Sequence, residues 1–255
     1  MRVPLDVIGN IAILKFPEDV SLNEKKKYAD NFLKSNKSIS SVLEKTEKVK
    51  GRLRKTKTRF LAGENTRETI HNENGCRFFL NVDETYFSPR LSNERKIISE
   101  EIARKVKNNS QILVMFAGVA PFPVVIAKYF KQKGKKARIV SSELNRKASE
   151  FAKKNVKMNK VEDYVDVISG DSRKIKGKFD FIVMPRPNLK DTFLNSSLKL
   201  CKKGTIIYYY GFGSEEEVLD EIKRDAGNKI GKIKIRKAGD IAPFKFRWLA
   251  EFRKS

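Results

Sequence analysis

Apolar positions follow two different periods along this chain. From Leu5 to Phe16, the residues Val7, Ile8, Ile11, Ile13 and Phe16 flank Gly9-Asn10, a pair that predicts a tight hairpin opening a small sheet. Ser21-Leu22-Asn23-Glu24 has capping-box spacing, and Tyr28, Phe32 and Leu33 continue a helical stripe that would cover one face of that sheet. Asn74-Gly75 offers a second hairpin, between Thr69-Ile70 and Arg77-Phe78-Phe79-Leu80. At Tyr86 the pattern changes. Residues 86–91 read as extended, and Ser92 is placed to cap a helix whose buried side is Ile97, Ile98, Ile102 and Val106.

Beyond that helix, predicted strands at 112–116, 137–141, 164–168, 179–184 and 204–210 are interleaved with predicted helices from 122, over 146–159, 189–200 and 214–226. Such alternation builds a mostly parallel sheet with helices on both faces. Residues 230–235 and 244–252 have no helix between them, so they should pair antiparallel at one edge. The expectation is a small α+β domain over 1–81 followed by an α/β domain over 82–255.

Charge adds a partner to this picture. Lys and Arg total 55 against 31 Asp and Glu, a formal charge of +24 that points to a polyanion or an anionic membrane surface. The longest apolar run, 112–127, is too short to span a bilayer and is broken by Gly118, Pro121 and Pro123; with no signal-peptide plan at the N-terminus, a cytoplasmic protein is expected. Lys50, Arg52, Lys55 and Lys57 lie in a basic ribbon between Glu44 and Arg59 that suits a phosphate backbone, the alternative being a solvated face of a basic protein. Cys76 and Cys201 stand alone, and His71 is the only histidine, so neither a metal site nor an imidazole base is expected. Proton transfer falls to a carboxylate, a tyrosine or a lysine.

Candidate chemistry gathers at the predicted strand ends. Four successive strands finish at Gly118, Glu143, Asp171 and the turn Met184-Pro185-Arg186-Pro187, and in an open α/β sheet such ends line one ligand crevice. Glu143 is placed to accept from both hydroxyls of a ribose and Asp171 from an adenine amino group; helix capping is the plainer alternative for each. The turn from Phe116 to Phe122 has a single glycine, Gly118, whereas a dinucleotide pyrophosphate usually needs three. S-adenosylmethionine carries no phosphate and tolerates a less open turn, which favours a methyltransferase over a dehydrogenase.

These residues also resemble a known family. Arg54, Tyr86-Phe87-Ser88-Pro89-Arg90-Leu91-Ser92-Asn93-Glu94-Arg95, Met115-Phe116-Ala117-Gly118-Val119-Ala120-Pro121-Phe122, Glu143-Leu144-Asn145 and Gly170-Asp171-Ser172-Arg173 are similar, in order and spacing, to motifs of the archaeal and eukaryotic tRNA (guanine-37-N1)-methyltransferases. The resemblance runs from Ile8-Gly9-Asn10-Ile11-Ala12 to Ala242-Pro243. It implies a Rossmann-like class I methyltransferase domain preceded by a small tRNA-binding domain, without the extra N-terminal domain of many members. It further implies Glu94 as general base, Arg54 as the contact to guanine O6, Tyr86 lining the active site, and Arg95, Glu143, Leu144, Asp171 and Ser172 around the cofactor, beside Phe116 and Gly118. Arg90 and Arg186 are expected to reach RNA. Without the resemblance, Glu94 reads as a first-turn acid favoured by the helix dipole.

Three departures bear on substrate. Val114 replaces a usual acidic residue, Ala120 a glycine, and Pro185 stands where most members have Asn in an Asn-Leu-Pro turn. The task of that Asn toward cofactor or guanine passes to a backbone carbonyl or to Arg186. The resemblance therefore implies methylation of G37 in the anticodon stem-loop of tRNA, or of C7 of 4-demethylwyosine at the same position, or both. An RNA-binding protein on a decayed methyltransferase fold is the rival from another class. No metal, membrane or protein partner is expected.

Overall fold

The computed structural model describes residues 3–46, 56–242 and 245–255. It divides into two compact units, Met1–Pro89 and Arg90–Ser255, where the sequence suggested a boundary between 81 and 82.

The first unit opens with β1 (Leu5–Ile8) and β2 (Ile11–Leu14), joined through Gly9-Asn10. Gly9 has φ +58°, and a Cβ there would meet the Thr69 hydroxyl and the Ile70 carbonyl, so glycine is required twice over. Its amide donates to Nδ1 of His71 at 3.1 Å, which assigns the chain's one histidine an architectural partner. Helix α1 (Leu22–Ser35) begins with the capping box formed by Ser21 and Glu24. Its Ala29, with Tyr28, Phe32 and Leu33, packs on a core that includes Leu14, Val42 and Leu61. β3 (Ser41–Lys45) and β4 (Thr58–Gly63) complete the sheet in the order β1-β2-β3-β4, and β5 (Glu68–Glu73) and β6 (Cys76–Asn81) form a separate hairpin about Asn74-Gly75.

The second unit is a seven-stranded sheet with helices packed on it. It contains α2 (Ser92–Lys105), β7 (Gln111–Met115), α3 (Pro121–Gln132), β8 (Arg138–Glu143), α4 (Arg146–Met158), β9 (Val165–Ser169), β10 (Phe179–Met184), α5 (Leu194–Lys199), β11 (Cys201–Gly213), α6 (Glu215–Ala226), β12 (Lys234–Ala242) and β13 (Lys245–Arg253). Strand order is β12-β13-β11-β10-β7-β8-β9, with β13 antiparallel to both its neighbours. The order reverses between β7 and β10, which places the ligand crevice outside the C-terminal ends of β7, β8 and β10. Leu113, Met115, Ile182, Met184, Ile207 and Tyr209 form a core cluster on one face of the central strands, and the intervening Ile112, Val114, Val183 and Tyr208 are buried as well, as strands covered on both faces require.

Several expected boundaries move. Residues Pro89–Leu91 form a short 3-10 turn rather than extended chain, and α2 starts at Ser92, with Leu91 as the capping residue and no side-chain cap. The helix expected over 189–200 is only Leu194–Lys199, because Phe193 takes a left-handed φ of +60° and Thr192 is tied to Asp225 on α6. The strand expected at 230–235 runs instead from Lys234 to Ala242, where β13 offers a continuous antiparallel partner.

Candidate active site

Glu143 organises the crevice. At the end of β8, its Oε2 accepts the amide of Gly118 at 2.8 Å and its Oε1 accepts the amide of Asn145 at 2.7 Å. Asn145 then caps α4 through the amides of Lys147 and Ala148. Further bonds lash the strand ends together: the Ala117 amide donates to the Ser142 carbonyl at 2.9 Å and the Gly170 amide to the Glu143 carbonyl at 2.8 Å. The Ser142 and Ser172 hydroxyls meet at 3.0 Å. Three residues of the turn after β7 have left-handed φ, namely Phe116 at +55°, Gly118 at +58° and Ala120 at +66°. Two of the three carry side chains in a conformation that costs them energy, a mark of a turn whose path is dictated by function.

The walls of the crevice are aromatic and charged. Phe116 packs edge-on against Phe193 with centroids 4.8 Å apart, and the Arg173 guanidinium lies 5.3 Å from the Phe193 ring. Asp171 accepts the Arg173 amide at 3.0 Å, and its carboxylate is also gripped by the Arg173 side chain, with Nε at 3.0 and 3.1 Å from its two oxygens. The bond and charge of Asp171 raise the Arg173 pKa above its ordinary value. The capping alternative for Asp171 is thus realised in this state. Leu144 is exposed at the rim, whereas Arg95 is 1% exposed within α2.

A second constellation forms on α2. Glu94, 6% exposed, receives the Arg236 guanidinium end-on and bidentate, with Nη1 at 2.7 Å from Oε1 and Nη2 at 3.0 Å from Oε2. Tyr210 donates its hydroxyl to the same Oε2 at 3.2 Å. The Tyr210 ring in turn packs against Phe122, in the first turn of α3, with centroids 6.0 Å apart. One aromatic side chain therefore joins Glu94 to the helix that springs from the Gly118 turn.

The crevice suits a nucleoside better than a phosphate. The turn has one glycine, Gly118, beside Ala117, Val119 and Ala120, too few for the close backbone approach that a pyrophosphate needs. Glu143 accepts a backbone amide on each carboxylate oxygen, which fixes the plane of the carboxylate at the strand end.

Comparison with known proteins accords with this geometry. Residues 69–235 match the TRM5/TYW2 methyltransferase domain and residues 5–66 the TYW2 N-terminal domain. The chain belongs to the TRM5/TYW2 methyltransferase family. The tRNA (guanine(37)-N(1))-methyltransferase Trm5b of Pyrococcus abyssi is 35% identical, over 98% of this chain and 74% of that protein. The tRNA (guanine(37)-N(1))/4-demethylwyosine(37)-methyltransferase Taw22 of Nanoarchaeum equitans is 33% identical, over 95% of this chain and 96% of that one. Among solved structures, aTrm5 in complex with tRNALeu superposes with a TM-score of 0.86 at 28% identity, over 99% of this chain and 72% of that chain. Trm5 of Methanocaldococcus jannaschii in complex with adenosine gives 0.83 at 28% identity, over 99% and 74%.

Within this TRM5/TYW2 chain, the expected site residues fall into three groups. Glu94, Arg95, Phe116, Gly118, Glu143, Leu144, Asp171, Ser172 and Pro185 all lie in the second unit, most of them on the strand ends just described. Tyr86, half-buried, and Lys57, exposed, belong to the first unit. Lys50, Arg52, Arg54 and Lys55 lie outside the described residues. Arg90 is exposed. Arg186 corrects an expectation: it does not reach out to RNA but is 4% exposed, paired with Glu221 on α6 and lying 5.0 Å from the Tyr209 ring and 5.7 Å from that of Phe212. Its Nη1 also donates to the Leu189 carbonyl at 2.9 Å, so the guanidinium closes the Met184–Pro187 turn from within. Arg186 is thus committed to the protein interior.

Sequence reasoning missed Arg236 and Tyr210. Arg236 is separated from Glu94 by 142 positions, in a run of alternating lysines and isoleucines that carries no local signal. Asn145 ends the Glu143-Leu144-Asn145 motif, and its cap before α4 is legible as Asn preceding a helix. No helix among the described residues is long and apolar enough to cross a membrane.

Proposed function

We propose that this protein transfers the methyl group of S-adenosylmethionine to N1 of guanosine 37, gripping the anticodon stem-loop of tRNA through its basic first unit, in the cytoplasm where tRNA is matured. The observation that carries this reading is the placement of Glu94: a buried carboxylate tied through Tyr210 and Phe122 to the helix that follows the Gly118 turn. The tRNA methyltransferases among its relatives and the adenosine-bound neighbour support it. So does the intact Glu143–Gly118 tie, which a decayed site has no need to keep.

Glu143 and the Gly118 turn would hold the ribose, and Asp171 with the Phe116–Phe193 wall the adenine. When bound, S-adenosylmethionine supplies an activated methyl group on a sulfonium, so no metal is needed for the transfer. Guanine N1 carries a proton and is a poor nucleophile until it leaves. Glu94 takes that proton, and Arg54 stabilises the charge that develops on O6, so the barrier is lowered at both ends of the base. Tyr86 lines the site, and the target base must be flipped out of its stack to reach it.

A second reading, methylation of C7 of 4-demethylwyosine, is favoured by Pro185 at the Asn position and by the inward turn of Arg186, which take the side-chain amide and the guanidinium away from those two positions. It also agrees with the dual specificity named for Taw22. Both readings meet one experiment: incubate the protein with S-adenosylmethionine and tRNAs bearing either G37 or the wyosine precursor, then identify methylated nucleosides by mass. N1-methylguanosine from the first tRNA is expected; its absence, with no methylated product from the second, would refute both.

A further inference from the structure

The ion pair on Glu94 leaves that carboxylate with one open acceptor position. A carboxylate offers about four lone-pair sites. Arg236 occupies one on each oxygen, at 2.7 and 3.0 Å, and the Tyr210 hydroxyl occupies a second on Oε2, at 3.2 Å. Burial strongly raises the Tyr210 pKa, aided by the negative charge of Glu94, so its hydroxyl stays protonated and remains a donor. The remaining site is on Oε1.

We propose that Arg236 is a positioning residue for methyl transfer: with Tyr210 it holds the Glu94 carboxylate in one orientation and presents Oε1 as the atom that takes the N1 proton. This rests on the reading of Glu94 as the general base. A glutamate in the first turn of a helix otherwise samples several rotamers, and most would aim its lone pairs away from the substrate. A bidentate guanidinium fixes the carboxylate plane as well as its position, which a single hydrogen bond does not. In the step itself the N1–H bond breaks with its electron pair left on N1, and an O–H bond forms at Oε1. Glu94 becomes neutral while Arg236 keeps its charge and its hydrogen bonds.

Arg236 stands on β12 opposite Leu249 of β13, and it also lines a cavity of about 360 Å³ with Glu101, Arg104, Lys105, Lys234 and Glu251. Four cations face two acids there, so contact with an RNA phosphate is the competing role for Arg236. The two roles separate kinetically.

The test compares wild type, Arg236→Ala, Arg236→Lys, Glu94→Gln and the Arg236→Ala/Glu94→Gln double variant on a G37 transcript, measuring kcat and the KM for tRNA. S-adenosylmethionine affinity by calorimetry and the thermal midpoint are recorded for each. The expected result is a fall in kcat of up to about a hundredfold for Arg236→Ala, the usual scale for a misplaced catalytic group. KM should change by less than about threefold. Arg236→Lys should recover part of kcat, cofactor affinity should be unchanged, and the double variant should be no slower than Glu94→Gln alone. A rise in KM at constant kcat, or a penalty of equal size in the Glu94→Gln background, would overturn the proposal and assign Arg236 to RNA. If Arg236→Ala fails to fold, Arg236→Lys decides by its split between kcat and KM. A wild-type protein without methylation would instead refute the reading of the site itself.

Discussion

Glu143 and Gly118 are joined by a carboxylate-to-amide hydrogen bond of 2.8 Å that crosses from the end of β8 to the turn after β7. The same carboxylate reaches the Asn145 amide, so it accepts from backbone on both oxygens. Glu143→Gln turns one of those acceptors into an NH2 group facing an N–H. Loss of about 1–3 kcal/mol in stability is expected, since a part-buried donor is left unmet. S-adenosylmethionine affinity should fall with it, because the turn and the ribose acceptor are lost together. Denaturant unfolding and calorimetry on the same preparation check both; a variant that loses stability but binds normally would remove Glu143 from the cofactor site.

How much of this was legible beforehand differs between elements. Strands β7 and β10 announced themselves because strands buried on both faces are largely apolar runs bounded by turn residues, and the capping box at Ser21 and the Asn74-Gly75 hairpin are local chemistry. The shortening of α5 was not legible. It depends on Thr192 meeting Asp225 and on a left-handed Phe193 packing against Phe116, contacts made only after the sheet has formed. The site divides in the same way. Gly118, Glu143 and Asp171 stand at strand ends, where topology alone directs them to one crevice, while the partners of Glu94 come from β11 and β12 and are set by antiparallel register. The inward turn of Arg186 is a further case: arginine between two prolines reads as exposed until Glu221 is found beneath it.

Arg186 yields the next prediction. Its side chain is 2% exposed and that of Glu221 19%, and Tyr209 also donates to Glu221. Glu221→Gln should cost about 2–3 kcal/mol, below the upper range for breaking a buried pair because Glu221 is partly in contact with water. Arg186→Met removes the charge with its need for a partner and should cost less. tRNA binding by Arg186→Met should match wild type at every salt concentration; a reduced salt slope would show that the guanidinium reaches phosphate after all.

Asp171 and Arg173 lead to a binding prediction. The guanidinium occupies both carboxylate oxygens, so an adenine amino group must share them. Arg173→Ala should bind S-adenosylmethionine at least as tightly as wild type, and Asp171→Ala more weakly. Isothermal calorimetry decides, and a weakening of more than about tenfold in Arg173→Ala would assign the ligand contact to the arginine instead.

Alkaline pH should unfold this protein through one strand. Tyr208, Tyr209 and Tyr210 are consecutive on β11 and all buried, and burial is the main cause that raises the pKa of each above its ordinary value. At the start of the same strand, burial pushes the Cys201 thiol up to about 11. In the unfolded chain these groups lose their protons near pH 9 for the thiol and pH 10 for the phenols. The folded state keeps them protonated above those values, so it binds more protons than the unfolded state and stability falls as pH rises. The contribution is complete below about pH 9 and is lost progressively above it, first through Cys201 and then more steeply through the three phenols. Denaturation midpoints measured from neutral pH upward should show that decline, with tyrosinate absorbance from these three residues appearing only as the chain unfolds. Tyr208→Phe removes one ionisable group without changing its ring and should flatten the decline; an unchanged slope would place the alkaline sensitivity elsewhere.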